Sequence, residues 1–202
     1  MNRTLSIVAL TTLASLGLAA SYGLQRLSAG PVEAQRHAID SRQLFDLLPP
    51  SSFDNQPLQQ PLALSNTELA HSTLLGGYLA TRTGRPAAVL LRSQTTGYSS
   101  TIELLLAIDV NGHLLGVKTI KQGETPGLGG RIGEWPNAWL QTFTGKSLAE
   151  PAANQWALKK DAGAFDQIAG ATLTSRAAVN AIHDGLRYFD EHRLALLGEK
   201  AP

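Results

Sequence analysis

Apolar and polar positions change rhythm several times along this chain. Residues 5–24 carry no charge. At ~1.5 Å rise per residue the run spans about 30 Å, the hydrocarbon thickness of a bilayer, and predicts a single transmembrane helix over 5–24. Arg3 and the amino terminus favour a cytoplasmic stretch at 1–4, with everything after the anchor exported. A signal peptide cleaved near Leu18-Ala19-Ala20 is the rival; its apolar run would be shorter, about 7–15 residues, and it too exports the remainder. Thr11, Ser15, Ala19 and Gly23 recur every fourth position, a small-residue stripe that lets membrane helices pack closely. Residues 25–64 read as a stalk helix and linker. Pro31 opens a helix with Leu44, Leu47 and Leu48 on one side, Pro49-Pro50 stops it, and 51–61 is rich in Ser, Pro, Gln and Asn.

From there to 197 the pattern predicts one exported domain, followed by a tail at 198–202. Residues 74–81 and 87–92 are strand-like, with a turn at Thr83-Gly84-Arg85-Pro86 between them. Residues 101–110 form a nearly continuous apolar strand. Asn111-Gly112 is a hairpin signal, and 113–120 return as the partner, giving an antiparallel meander. Four glycines and a proline make 121–132 a tight loop. A short helix at 136–143 carries Trp139 and Phe143 inward, and 156–161 read as a short strand and turn. In 176–189, Ala178, Ile182, Leu186 and Phe189 fall at helical spacing and predict a buried helix face. The fold class is α+β: one N-terminal transmembrane helix, then a domain with a largely antiparallel sheet and flanking helices.

Composition narrows the chemistry. With 202 residues and 43% apolar content the chain can bury a real core. It has no cysteine, which excludes disulfides, thiolate zinc sites, iron–sulfur clusters and cysteine nucleophiles. Net charge is +1 with no basic block, so nucleic acid is not a predicted partner. The five histidines are scattered without helically spaced partners, and no metal site or Ser-His-Asp arrangement is apparent. Trp135, Trp139 and Trp156 read as packing residues.

Two stretches remain. In Asp166-Gln167-Ile168-Ala169-Gly170-Ala171-Thr172-Leu173-Thr174-Ser175, small and hydroxyl residues sit where a helix begins. Free N–H groups and the positive end of the dipole favour an anion there, typically phosphate, and Gly170 and Ala171 let it approach the backbone. The plainer reading is that Thr174 or Ser175 caps the helix. The glycine-rich loop, taken alone, reads equally as a turn or as a ligand cradle. It does not match the phosphate-loop or dinucleotide patterns.

Together the two stretches resemble the motifs of the FMN-binding domain family. Residues 124–129 carry all six positions of Glu-Thr-Pro-Gly-Leu-Gly, with Gln122 where the family often has histidine. The second motif is a carboxylate ahead of a small-Gly-Ala-Thr run, with Ala169 where Ser or Thr is common. The resemblance implies FMN carried covalently through a phosphoester on Thr172, with Asp166 as the carboxylate recognised for flavinylation. Gly170, Ala171, Thr174, Ser175, Glu124, Thr125, Gly127, Leu128 and Gly129 are the implied cofactor contacts. Gly127 and Gly129 would give close approach, Leu128 an apolar contact and Thr125 a hydroxyl, while Glu124 would order the loop or face the ring edge.

With Gly97-Tyr98, the Asn111-Gly112 hairpin and the anchor added, the whole chain resembles the G-subunit family of Rnf/Rsx electron transport complexes. That resemblance implies a bacterial inner-membrane protein with a periplasmic FMN domain. It would be an electron-carrying subunit rather than a stand-alone enzyme, coupled to ion or proton translocation by other membrane and soluble subunits. An FMN transferase using FAD would mature it, and a membrane subunit would pack on the small-residue stripe. The alternatives are a C-type subunit of a sodium-pumping quinone reductase, or a flavin-free membrane-tethered interaction module.

Overall fold

The computed structural model describes residues 12–15, 17, 21, 46–64 and 66–198. The chain forms two compact units, 1–42 and 43–202. In the first, 12–15, Gly17 and Ser21 are helical. Among the described residues no helix is long and apolar enough to cross a membrane. Most of the expected anchor lies outside the described residues, as do the stripe positions Thr11, Ala19 and Gly23, the body of the expected stalk helix and the end of the tail.

The second unit is built on a five-stranded sheet. Its strands are β1 (Thr67–Glu68), β2 (Thr73–Arg82), β3 (Arg85–Thr96), β4 (Thr101–Asp109) and β5 (Leu114–Lys121). They lie in sequence order and every neighbouring pair is antiparallel; β2 to β5 are the expected meander, and β1 adds an edge strand that the sequence pattern does not predict. After the sheet come helices α1 (Ala138–Gln141), α2 (Thr172–Glu191) and α3 (Arg193–Leu196).

β4 is apolar almost throughout because both faces of the sheet are covered. On one face Leu104, Leu106 and Ile108, with Val89 and Leu91, share a core with Ala178, Val179, Ile182, Leu186 and Phe189 of α2. On the other, Ala80, Ala88, Leu90, Leu105 and Ala107 meet Leu47 and Leu48, with Phe53 and Leu58 packed alongside. The segment expected to be linker is therefore a layer of the domain from Asp46 onward. Asp46 pairs with Lys118 of β5. Asn55 accepts from Thr81 N–H and donates to the Leu79 carbonyl, both at 2.9 Å. Gly116 has no Cβ because Leu47 Cδ2 would lie 2.8 Å from it.

Other differences are local. The β2–β3 hairpin closes in two residues, with Thr83 at φ 51° and Gly84 at φ 73°, so Pro86 falls inside β3 rather than in the turn. α1 is shorter than 136–143; Asn137 Oδ1 caps it by accepting from Leu140 N–H at 2.9 Å. Leu140 and Phe143 point inward, whereas Trp139 is only half-buried. Residues 156–161 are not a strand. Lys159–Asp161 is a 3-10 turn, and the chain folds back so that Leu158 and Phe165 form one isolated bridge. A Cβ on Gly163 would lie 2.1 Å from the Ala157 carbonyl, so this tight fold-back depends on glycine.

The fold-back buries Trp156 against Phe165 and stacks it on His183 of α2, with ring centroids 5.3 Å apart and planes 7° from parallel. Burial pushes the His183 imidazolium below its ordinary pKa. Arg187 and His71 act in the same direction and Asp184 opposes them. Its Nε2 has no hydrogen-bond partner among the described residues.

Two outcomes follow from this packing. Leu48→Ala should destabilise the domain by about 2–4 kcal/mol in denaturant titration, where a linker residue would shift it by only ~0.5 kcal/mol. His183 is disfavoured as a cation in the folded state, so the unfolded chain takes up the proton first as pH falls below the ordinary value of 6.5. Stability should therefore decline from about pH 6.5 downward. His183→Phe, which keeps a ring against Trp156, should flatten that part of the profile.

Candidate functional site

The two singled-out stretches meet at one buried carboxylate. Glu124 is 5% exposed. Its Oε1 accepts from the N–H groups of Ser99 and Ser100 at 3.1 and 2.9 Å, and from Ser100 Oγ at 3.1 Å. Its Oε2 accepts from Tyr98 N–H at 3.1 Å and from Thr174 Oγ1 at 2.5 Å. Burial pushes this carboxyl's pKa up. The hydrogen bonds from Thr174 and the 98–100 backbone outweigh burial and hold it below the ordinary value. Glu124 thus orders the loop, tying three segments together. The glycines around it follow: a Cβ on Gly97 would lie 2.6 Å from Oε1, and one on Gly129 would lie 2.6 Å from Thr174 Oγ1.

Helix α2 begins at Thr172, four positions earlier than the apolar spacing alone predicts. Its first ladder bond runs from Ser175 N–H to the Ala171 carbonyl. The N–H groups of Thr172, Leu173 and Thr174 form the open end of the helix. Ala171 occupies the cap position and no side chain caps the helix, so neither Thr174 nor Ser175 has the expected capping role. Thr174 instead holds Glu124. Ser175 Oγ donates to the Ala171 carbonyl at 2.8 Å and accepts from Ile168 N–H at 2.9 Å, fixing the incoming loop. Thr172 Oγ1 faces outward and donates to Gln167 Oε1 at 2.9 Å. Gly170 has φ 73°, and a Cβ there would lie 2.7 Å from Leu128 Cδ2, so the two loops touch.

Between them lies a cleft of about 320 Å³, lined by Tyr98, Glu124, Thr125, Leu128, Gly129, Gly170, Ala171, Thr172, Leu173 and Thr174. Eight of these are among the residues singled out from sequence. Gly127, Ser175 and Asp166 are not part of the lining. Gly127 has φ 76°, a left-handed conformation that the turn requires, and no protein atom lies within 4 Å of where a Cβ would stand. Ser175 is fully buried. Asp166 is exposed, pairs with Lys159 at 2.7 Å and offers its carbonyl to Trp139 Nε1, also at 2.7 Å. Sequence reasoning misses Tyr98 and Leu173 as site residues. With Leu128 they make an apolar rim, at 71%, 50% and 45% exposure. Leu173 had a signal: it is the single large apolar residue between hydroxyls at the helix start.

A family model described as FMN-binding domain matches residues 97–187. The G subunit of the ion-translocating oxidoreductase complex from Pseudomonas aeruginosa is 44% identical over 98% of this chain and 92% of its own length. The chain belongs to the G-subunit family of ion-translocating oxidoreductase complexes. The G subunit from Cereibacter sphaeroides is 36% identical over 86% of this chain and 78% of its own, and that from Vibrio vulnificus 33% over 95% and 90%. A crystal structure of Shewanella oneidensis NqrC is 22% identical over 61% of each chain, with a TM-score of 0.48. In this member of the G-subunit family the span 97–187 opens at the glycine packed on Glu124 and takes in both motifs and most of α2.

Glu124→Gln should cost about 2–3 kcal/mol at neutral pH, because the amide loses the charge-assisted bonds and turns a donor toward backbone N–H groups. The carboxyl's pKa is lowered on folding. Its contribution is therefore complete above the ordinary value of 4.5 and is lost as pH falls through the folded value. Denaturant titrations of wild type and mutant should accordingly converge below that point. A difference that widens as pH falls below 4.5 would contradict the charged role.

Proposed function

We propose that this chain is the flavoprotein subunit of an ion-translocating electron transport complex, relaying electrons through FMN joined to Thr172 by a phosphoester bond. The observation that carries the reading is the position of Thr172: an outward hydroxyl on the first residue of α2, at the mouth of an apolar-rimmed cleft. A phosphate on that oxygen would meet the open N–H groups of the helix start and the positive end of its dipole. Leu128, Leu173 and Tyr98 suit one face of a flavin ring, and the Thr125 hydroxyl and backbone at Gly129 and Gly170 suit its polar edge. The bound flavin supplies the redox chemistry. The chain's own residues bind it, orient it and leave an edge accessible to redox partners.

The family membership and the span of the FMN-binding domain model support the reading. The relatives are named as G subunits of a complex, which supports other subunits of that complex as this chain's partners. The uncharged run at 5–24 supports a single anchor in the bacterial inner membrane, with residues 1–4 cytoplasmic and the domain periplasmic. A covalent link suits an exported carrier, because a flavin that dissociated there would be lost. Attachment requires a flavin transferase, for which exposed Asp166 is the recognition carboxylate.

Thr172→Ala should abolish covalent flavin, read as loss of in-gel fluorescence and of the flavin mass on the peptide that contains residue 172. Stability should change by ~1 kcal/mol or less, since the side chain is only half-buried. Thr174→Ala is the contrasting case: the lost bond to Glu124 should cost about 2 kcal/mol while a flavin remains attached. Absence of fluorescence from the wild-type protein in native membranes would exclude the flavoprotein reading.

A further inference from the structure

The hydroxyl of Thr172 does not stand alone. It donates to Gln167 Oε1 at 2.9 Å, and the backbone on either side of Gln167 is held. The preceding carbonyl, that of Asp166, accepts from Trp139 Nε1 at 2.7 Å. The following N–H, that of Ile168, donates to Ser175 Oγ at 2.9 Å. Side chains of α1 and α2 thus fix the loop at both neighbours of Gln167 and direct its amide to the mouth of the cleft.

We infer that Gln167 is a positioning residue for attachment of the flavin phosphate to Thr172; this rests on the reading of Thr172 as the attachment residue. With its proton committed to Gln167 Oε1, the Thr172 oxygen turns its lone pairs away from the amide and toward an incoming phosphoryl group. The donor is a flavin adenine dinucleotide. Thr172 Oγ1 bonds to the phosphorus on the riboflavin side. The bond from that phosphorus to the bridging oxygen breaks, AMP leaves with the bridging oxygen, and the hydroxyl proton passes to solvent. No oxidation or reduction occurs.

The amide suits the product as well. The ester oxygen has no proton to donate, so Oε1 loses its partner. Rotation of the terminal amide brings Nε2–H toward a non-bridging phosphate oxygen, a charge-assisted bond. One side chain therefore accepts before the reaction and donates after it. Alanine does neither, and glutamate accepts but then opposes the phosphate charge.

The test uses the full-length chain produced without the transferase, then incubated with purified transferase and FAD. Fluorescence time courses over a range of acceptor concentrations give kcat and KM. Gln167→Ala should lower kcat about tenfold with KM and melting temperature unchanged, the effect of one lost hydrogen bond. The phosphorus NMR resonance of the attached phosphodiester should move from its wild-type position. Gln167→Glu, which keeps the size of the side chain, should also react more slowly than wild type. A wild-type kcat and phosphorus resonance in Gln167→Ala, with no labelling of Thr172→Ala, would overturn the role of Gln167 alone. A change confined to KM would assign Gln167 to transferase recognition and overturn positioning. Labelling that persists in Thr172→Ala would overturn the attachment reading and this inference with it.

Discussion

A buried carboxylate with no cation beside it is costly unless hydrogen bonds replace the water it has lost. Glu124 meets that condition with three consecutive backbone N–H groups and two hydroxyls. Those donors belong to the turn before β4 and to the first turn of α2, so satisfying the charge fixes their mutual distance. Packing around this junction by itself requires the local glycines. Gly97 and Gly129 sit where a Cβ would collide with the Glu124 carboxylate or with its Thr174 partner. The cleft is the space left over once this junction has closed.

Strands β2 to β5 were legible from their strand-like and apolar runs and from the turn signals between them, Asn-Gly among them, whereas the two-residue β1 is too short to leave a pattern. The covering layer was not. Residues 51–61 have the composition of a loop, and composition carries no record that Leu47, Leu48, Phe53 and Leu58 rest on the far face of the sheet. The missing clue was in β4 itself. An unbroken apolar strand in an antiparallel sheet requires cover on both faces, and α2 can supply only one. The fold-back after Trp156 was hidden for a different reason: an isolated bridge between Leu158 and Phe165 has no periodicity to read.

At the site, the motif residues were legible but their division of labour was not. Glu124 stood open between loop-ordering and ring-facing roles, and Gly127 carries the positive φ of a turn and lies outside the cleft lining. Thr174 and Ser175 read equally as caps or contacts, because hydroxyls at a helix start look alike in sequence. Helix geometry separates them. At about 100° per residue, positions 172, 174 and 175 point in three directions. Thr172 faces the cleft mouth, Thr174 faces Glu124, and Ser175 faces the loop that enters the helix. Apolar spacing puts the helix start at 176, and that offset conceals the separation.

The position of the Thr172 hydroxyl is only as constant as the helix that carries it. α2 is tied at its first turn through Thr174 and again near its middle through Asp184, which is buried. Asp184 accepts from His71 N–H at 2.6 Å and from Ser72 Oγ at 3.2 Å, at the turn leading into β2. Two polar ties on one helix, one to the loop after β5 and the other to the turn before β2, resist both sliding and rotation in a way that apolar contacts alone do not, because hydrogen bonds are directional. Between the ties, Ile182 and Val179 lie on the sheet core. An electron carrier gains from that arrangement. Transfer depends steeply on distance, and under the proposed attachment at Thr172 a flavin would otherwise follow every movement of its helix.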